Sequence, residues 1–261
     1  MPIINEIAAA LEEFAPLSGA CGWDNVGLLV GDGGGTATAV LVSLDIDGEV
    51  VGEAVAKRAE LIVTHHPVIF GGIKDINTGT EQGRLLQKLI RNGISVYSAH
   101  TNLDSADGGT SDALFETLGL DEKEILTFDG IGLGRAGRCR RGLPLREYSG
   151  YVKAVLDAAH IKWAGEPDMI IKKVGLAAGT ASGMKYFDEA VKAGCDCYIT
   201  GDVSFHEARD AAGMGLGIID AGHFATEIPV VGALCGFFEK ISERNSWGLT
   251  VHRAVQRDIF N

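Results

Sequence analysis

Short apolar segments alternate along this chain with longer segments that have helical spacing. We predict strands over residues 40–46, 61–63, 94–99, 174–178, 195–200 and 216–220. We predict helices over residues 3–15, after an Asp47 cap, and over 81–92, 184–193, 204–213 and 229–244. Strands that alternate with helices in this way indicate an α/β fold with a largely parallel sheet.

The two halves of the chain also resemble each other in detail. When the chain is shifted by 136 residues, EAVAKRAELIVT (53–64) lies over EAVKAGCDCYIT (189–200) without a gap. We therefore expect two related α/β lobes with mixed, largely parallel sheets flanked by helices and a metal site between them. The first lobe is expected to span 1–125, completed by 220–261, and the second to span 126–219. Open α/β sheets bind ligands beyond the carboxyl ends of their strands.

Composition excludes several classes of protein. Lysine and arginine number 23 against 35 aspartates and glutamates, and a net charge of −12 argues against general nucleic-acid or anionic-membrane binding. The opening MPIINEIAAALEEF lacks the basic region of a signal peptide, and no uninterrupted apolar run approaches the length of a membrane span. Five cysteines in such a chain are expected to be reduced, and the cytoplasm is the expected compartment.

The first candidate site is a metal-binding site. Imidazole and carboxylate groups, which borderline divalent metals prefer, follow predicted strands in four segments. These are THHP (His65, His66), HTNLD (His100, Asp104), TGDVSFH (Asp202, His206) and DAGHFATE (Asp220, His223, Glu227). A single histidine there is more often an ordinary loop residue, but five of the seven histidines cluster in this way. Adjacent side chains on an extended backbone point in opposite directions, so the two histidines of THHP, if both bind metal, indicate two ions.

Two glycine patterns have structural interpretations that we favour. The G-x-G-x-x-G at 132–137 is not followed at once by a helix, as a dinucleotide-binding loop requires, and we expect its glycines in strands and turns. GTASGMK (179–185) leads into a helix, which would suit an anion, but it lacks the spacing of a phosphate-binding loop. We expect a tight turn there.

Arginines and cysteines supply two weaker candidates. An arginine cluster could hold a phosphate or carboxylate, although a solvated surface is the favoured interpretation. The cluster consists of Arg135, Arg138, Arg140, Arg141 and Arg146. Cys195 and Cys197 would share one face of a strand, and burial is favoured over a zinc site or redox pair.

Five motifs of this chain resemble a known family. They are WDNVGLLVG (23–31), IVTHHPVIFGGIK (62–74), SAHTNLD (98–104), TGDVSFHEARDA (200–211) and DAGHFATE (220–227). In this order they are similar to the motifs of the NIF-three-like family, whose bacterial members are named as homologues of GTP cyclohydrolase I type 2. Some relatives carry a domain inserted between the halves. The short 125–170 stretch leaves no room for one, so this chain resembles the compact form.

The resemblance implies a dinuclear metal centre. His65 and His66 would each bind one ion, Asp104 and His223 would each contribute to one, and Glu227 would bridge the two. His100 and His206 would serve in proton transfer or substrate contact, as catalytic residues. The two divalent ions could be zinc, iron, manganese, cobalt or nickel. The family also implies a homohexameric ring, and no role follows for Asp24 and Asn25 of its WDN motif.

Two functions remain open from the sequence. The first is a metal-dependent hydrolase, in which two ions activate water. A reaction of the GTP cyclohydrolase type would open the purine imidazole ring at C8 and release formate, and the arginine cluster could then contact the triphosphate. A phosphoester or a cyclic amide is another substrate of that class. The second is a non-catalytic metal-binding scaffold or regulatory interaction protein. The presence of both His100 and His206 favours the enzyme.

Overall fold

The computed structural model describes residues 1–260, which form ten α-helices and eleven β-strands. The helices are α1 (Ile4–Phe14), α2 (Gly48–Lys57), α3 (Glu81–Arg91), α4 (Thr101–Ser105), α5 (Thr110–Thr117), α6 (Leu145–Val155), α7 (Met184–Lys192), α8 (Phe205–Gly213), α9 (His223–Glu227) and α10 (Pro229–Arg244). The strands are β1 (Gly27–Val30), β2 (Ala39–Ser43), β3 (Leu61–Thr64), β4 (Ser95–Ser98), β5 (Asp121–Phe128), β6 (Ile131–Pro144), β7 (Lys162–Ala164), β8 (Ile170–Leu176), β9 (Cys197–Thr200), β10 (Gly217–Asp220) and β11 (Thr250–Arg253). Every element predicted from the sequence is present, with bounds that differ by a few residues.

The first compact unit contains residues 1–107 and 231–256. Its five-stranded sheet has the order β1-β4-β3-β2-β11, in which only the edge strand β1 runs antiparallel to its neighbour. Apolar side chains of β2, β3 and β4 pack against α2 and α3 on one face. Asp47 caps α2 as predicted, because its carboxylate accepts from the backbone N–H groups of Glu49 and Val50.

The second compact unit contains residues 108–230 and the chain from Arg257. Its six-stranded sheet has the order β5-β6-β8-β9-β10-β7, with β8, β9 and β10 parallel and the other pairs antiparallel. Helices α5 and α6 contribute to the apolar core on one face, and α7 and α8 contribute to the core on the other. Alternate side chains of β9 and β10 enter the two cores, which is the expected geometry of a strand buried on both faces.

Four strands of each sheet follow the same plan. In the first unit β1-β4-β3-β2 run as one antiparallel pair followed by two parallel pairs, and β7-β10-β9-β8 repeat that arrangement in the second. Strands β3 and β9 are also separated by the 136 residues of the sequence match. The prediction of two related α/β lobes with mixed sheets and flanking helices is confirmed.

The helices are short, and four of them (α4, α5, α6 and α9) were not predicted from the sequence. The polar segment HTNLDSADGG contains α4, whose five residues are too few to show helical periodicity. The longest helix among residues 1–260 is α10, with 16 residues. No helix in this part of the chain combines the length and apolar character that crossing a bilayer demands.

Candidate metal-binding clusters

Three histidines and an aspartate come together at the carboxyl ends of β3 and β4. His65 and His66 follow the last residue of β3, His100 lies two residues beyond β4, and Asp104 lies in α4. Because β3 and β4 are neighbouring parallel strands, these ends are adjacent. Ligand atoms of the three imidazoles lie within 4.8 Å of one another. We call His65, His66, His100 and Asp104 the first cluster.

The two adjacent histidines do not point in opposite directions. Their ring centroids are 5.0 Å apart, and each ring also contacts His100. The strict alternation of a strand does not extend to them, because β3 ends at Thr64. The argument from alternation for two ions was therefore wrong, although the number of ions that the family resemblance implies stays a prediction.

Each imidazole of the first cluster has its Nδ1 atom against an oxygen that can only accept a hydrogen bond. The pairs are His65 with the Ala99 carbonyl (2.9 Å), His66 with Asp45 Oδ1 (2.7 Å) and His100 with Asp24 Oδ1 (2.9 Å). Nδ1 must therefore carry the hydrogen, and in the neutral ring Nε2 then bears the lone pair. Metal-ligating histidines are held in the same way by an oxygen on their other nitrogen.

The buried His65 shows why a cation fits this cluster. Its Nε2 atom lies 3.6 Å from Asp104 Oδ1, so a nitrogen lone pair faces a carboxylate oxygen. Two acceptors at this distance repel each other unless a proton or a metal ion lies between them. Two ligands bound at about 2.1 Å to one divalent ion are themselves separated by roughly 3.0–3.6 Å. The donors and their spacing therefore fit a metal ion.

Asp24 orients the His100 imidazole through a hydrogen bond. Its side chain is buried, and it accepts hydrogen bonds from His100 Nδ1 and from both the backbone N–H and the hydroxyl of Thr101. Burial acts to raise the pKa of Asp24, but the hydrogen bonds from His100 and Thr101 outweigh it and hold the pKa well below its ordinary value. The carboxylate thus stays ionised and orients the imidazole. No role for Asp24 could be predicted from the sequence, because its partners lie more than 70 residues away.

A second cluster forms at the carboxyl ends of β9 and β10. His223 begins α9, and its Nδ1 lies 2.7 Å from Asp202 Oδ2, which also accepts from the hydroxyl of Thr180 at 2.6 Å. Burial acts to raise the pKa of Asp202, but the hydrogen bonds from Thr180 and His223 lower it below its ordinary value. We call Thr180, Asp202, His223 and Glu227 the second cluster.

The second cluster repeats the chemistry of the first. Because the Asp202 carboxylate only accepts, His223 carries a hydrogen on Nδ1, and in the neutral ring Nε2 then bears the lone pair. That Nε2 atom faces Oε2 of the buried Glu227 at 3.1 Å, one helical turn along α9. The separation again matches two ligands of a single divalent ion.

Two glycines leave room for these side chains. A Cβ built on Gly179, which has φ +65°, would overlap Glu227 Oε1 and lie 3.4 Å from His223 Nε2. A Cβ on Gly201 would lie 2.6 Å from the backbone nitrogen of His223. The tight turn predicted for GTASGMK is therefore confirmed at Gly179, and only a residue without a side chain leaves room for the carboxylate beside it.

His206 and Asp220 have other surroundings. His206 lies on α8, where it is exposed and its ring packs edge-on against Phe205 with centroids 5.4 Å apart. Within residues 1–260, the hydrogen-bonded group around His223 does not include it. Asp220 instead supports the turn before His223, since it accepts from Lys162 Nζ and the backbone N–H of Gly222. Catalytic roles for His206 and His100 stay predictions.

The arginine cluster is largely paired with acids. Arg135 is 1% exposed and forms an ion pair with the buried Asp112, so the surface interpretation is wrong for this residue. The other pairs are Arg138 with Glu122, Arg140 with Asp121 and Arg146 with Asp168. The structure therefore gives these arginines local partners and does not single out a phosphate site.

Cys195 and Cys197 are buried, as predicted, but they pack in different cores on the two faces of the sheet, so the prediction that they share one face of a strand was wrong. Burial raises the pKa of Cys195 to about 12 and raises that of Cys197 well above its ordinary value. Both thiols are therefore protonated at neutral pH, and a thiol of this kind is neither a good nucleophile nor a ready metal ligand.

The fold and the clusters define an α/β protein with histidine and carboxylate groups that could hold a metal ion. The model of the Duf34/NIF3 (NGG1p interacting factor 3) family matches residues 2–258, and the chain belongs to that family. The resemblance found in the five motifs is thus confirmed.

Relatives of known sequence and structure support this assignment. The chain is 40% identical to a GTP cyclohydrolase 1 type 2 homolog of Clostridium perfringens, with 92% of each chain covered. It is 36% identical to the protein of the same name from Streptomyces coelicolor, with 97% of this chain and 91% of the relative covered. A Bacillus cereus protein related to NIF3 has a crystal structure that matches with a TM-score of 0.94 and 25% identity, covering 100% of this chain and 99% of the other. A hypothetical protein of Staphylococcus aureus matches with a TM-score of 0.93 and 27% identity, covering 99% and 98%.

Proposed function

We propose that this chain is a metal-dependent hydrolase in which the first and second clusters supply the metal donors. The observation that carries the proposal is shared by His65 and His223. Each has its Nδ1 hydrogen on an oxygen acceptor and turns its Nε2 lone pair toward a carboxylate, at 3.6 Å and 3.1 Å. Imidazole and carboxylate groups at these separations have the chemistry and spacing of ligands to a divalent cation.

The donor set indicates what the bound metal would do. His65, His66 and Asp104 would hold it in the first cluster, and His223 and Glu227 in the second. A divalent ion bound there would act as a Lewis acid that lowers the pKa of water and polarises an electrophile. The resemblance implies a pair of ions, and their number stays a prediction for measurements of metal stoichiometry.

His100 is the group best suited to move a proton. It lies among the ligand atoms of the first cluster, and its Nδ1 hydrogen rests on the ionised Asp24. Nε2 can then accept a proton, and the Asp24 carboxylate stabilises the imidazolium that results. His100 would thus act as general base and then as general acid, with Asp24 as its positioning residue.

The names of the relatives suggest a substrate class. Proteins 40% and 36% identical to this chain are named as homologues of GTP cyclohydrolase 1 type 2. We propose a nucleotide substrate and hydrolytic opening of its imidazole ring, with formate as product. Hydrolysis of a phosphoester or a cyclic amide belongs to the same class and uses the same groups.

The proposal is tested by turnover of metal-loaded protein. Wild-type protein reconstituted with manganese, iron or zinc should release formate from GTP or hydrolyse another substrate of the panel. His65→Ala and Glu227→Gln should lose this activity while they remain folded. His160→Ala is the matched control, because His160 is exposed and lies outside both clusters. Full metal occupancy without turnover of any substrate would favour the non-catalytic scaffold.

The homohexameric ring is a separate proposal that rests on the resemblance. Light scattering of the purified protein should give a mass six times that of the 27.5-kDa chain. A monomeric mass at micromolar concentration would contradict it.

A further inference from the structure

Two solvent-exposed aromatic side chains lie beside the first cluster. Trp23 is 62% exposed and Phe70 is 60% exposed, and their ring centroids are 5.8 Å apart. Both rings also contact His100, at 6.0 Å and 6.1 Å between centroids. A single exposed aromatic ring needs no explanation, but two adjacent rings that both border a candidate proton-transfer group do.

Polar contacts hold the two segments that carry these rings. Trp23 directly precedes Asp24, whose carboxylate is held by His100 and Thr101. Asn25 follows, and its side-chain amide donates to the Ile69 carbonyl, next to Phe70, at 2.6 Å. The WDN motif therefore joins the segment that carries Trp23 to the segment that carries Phe70. This contact also supplies a role for Asn25 that the sequence did not reveal.

An exposed aromatic ring on such a segment offers a flat apolar face to a ligand. Stacking on an aromatic side chain suits every heterocyclic base, because each base has a π-face. The neighbouring imidazoles and acids can serve the polar part of such a ligand, and the two apolar rings can cover a face of its ring. A planar heteroaromatic ring therefore matches the combination of surfaces found here.

We propose that Trp23 and Phe70 form a stacking platform that binds a planar heteroaromatic ring, such as a purine, next to the first cluster. The inference rests on the proposed function, which it deepens by naming the residues that bind the ring of the substrate. Trp23 and Phe70 would bind the ring of the substrate, and the metal-binding groups next to them would serve its hydrolysis. A ligand that has phosphates but no ring should gain nothing from these two residues.

Equilibrium dialysis of the metal-loaded full chain tests the platform with guanosine, GTP and inorganic triphosphate as probes. Stacking on one aromatic side chain is worth roughly five- to 150-fold in affinity. Trp23→Ala and Phe70→Ala should each weaken guanosine and GTP binding by about tenfold or more, and Trp23→Phe should retain most of it. Triphosphate binding and metal content should not change. Trp163→Ala is the matched control, because Trp163 is 38% exposed on β7.

The outcomes separate this inference from the hydrolase proposal. Unchanged guanosine affinity in both alanine variants would overturn the platform, as would wild-type protein that binds no guanosine. A changed oligomeric mass in Trp23→Ala with unchanged affinity would identify the rings as a subunit contact and would also overturn it. Wild-type protein that binds guanosine through these rings but hydrolyses nothing would retain the platform and reject the hydrolase.

Discussion

Replacing Gly179 with alanine should separate metal binding from stability. Gly179 has φ +65°, and a side chain at this φ costs about 1–2 kcal/mol of folding free energy. The added Cβ would also overlap Glu227 Oε1. That oxygen is the end of a flexible side chain, so it can swing away at little further cost in stability. It would then leave the position 3.1 Å from His223 Nε2 in which it can share an ion.

Gly93→Ala is the matched control, because Gly93 also has φ +65° and a Cβ there would meet nothing within 4 Å. Urea unfolding should show similar losses of about 1–2 kcal/mol for both variants. Chelator competition with zinc or manganese should show at least a tenfold loss of affinity in Gly179→Ala and none in Gly93→Ala. Equal metal affinity in the two variants would refute the assignment of Glu227 as a ligand in this position.

Two further substitutions test the carboxylate that orients His223 and the buried ion pair between Asp112 and Arg135. Asp202→Ala should lower metal affinity about 10- to 100-fold in chelator competition, whereas the exposed Asp210→Ala should not; equal affinities would show that the His223–Asp202 contact does not prepare the ligand. Asp112→Asn should lower the free energy of unfolding by roughly 3–5 kcal/mol at pH 7, because it leaves the buried Arg135 without its carboxylate. Burial acts to raise the pKa of Asp112, but the Arg135 hydrogen bond lowers it, so this stabilisation is complete above the unfolded-state pKa of about 3.9 and is lost as pH falls through the lower folded-state value. Urea unfolding from pH 7 to pH 2 should show the two proteins converge at the acid end, and a constant difference would contradict the ion-pair origin.

Local sequence patterns predicted most of the fold, because they reflect local physics. Apolar runs and helical spacing identified each predicted strand and helix, and Asp47 capped the helix expected after it. The 136-residue match identified the repeated plan of the two sheets. Helix α4 was missed because five residues show no period and its N-terminal residue, His100, makes no side-chain cap.

The candidate ligands were predictable, but the groups that orient them were not. His65, His66 and His100 each follow a strand, and the sequence shows this directly. Their acceptors Asp24 and Asp45 lie 76 and 21 residues from their partners, and no local pattern pairs groups across such distances. Arg135 was misread for the same reason: Asp112, 23 residues away, makes an apparent surface arginine a buried one.

The central claim is that His65 and His223 turn Nε2 toward a divalent cation. Elemental analysis tests this claim most directly. Protein prepared without a metal-binding tag would be dialysed against zinc or manganese and then against buffer. At least one ion per chain should remain in the wild type and in His160→Ala, and the content should fall in His65→Ala and in Glu227→Gln. A wild type that retains no metal, or variants that retain as much as the wild type, would contradict the account.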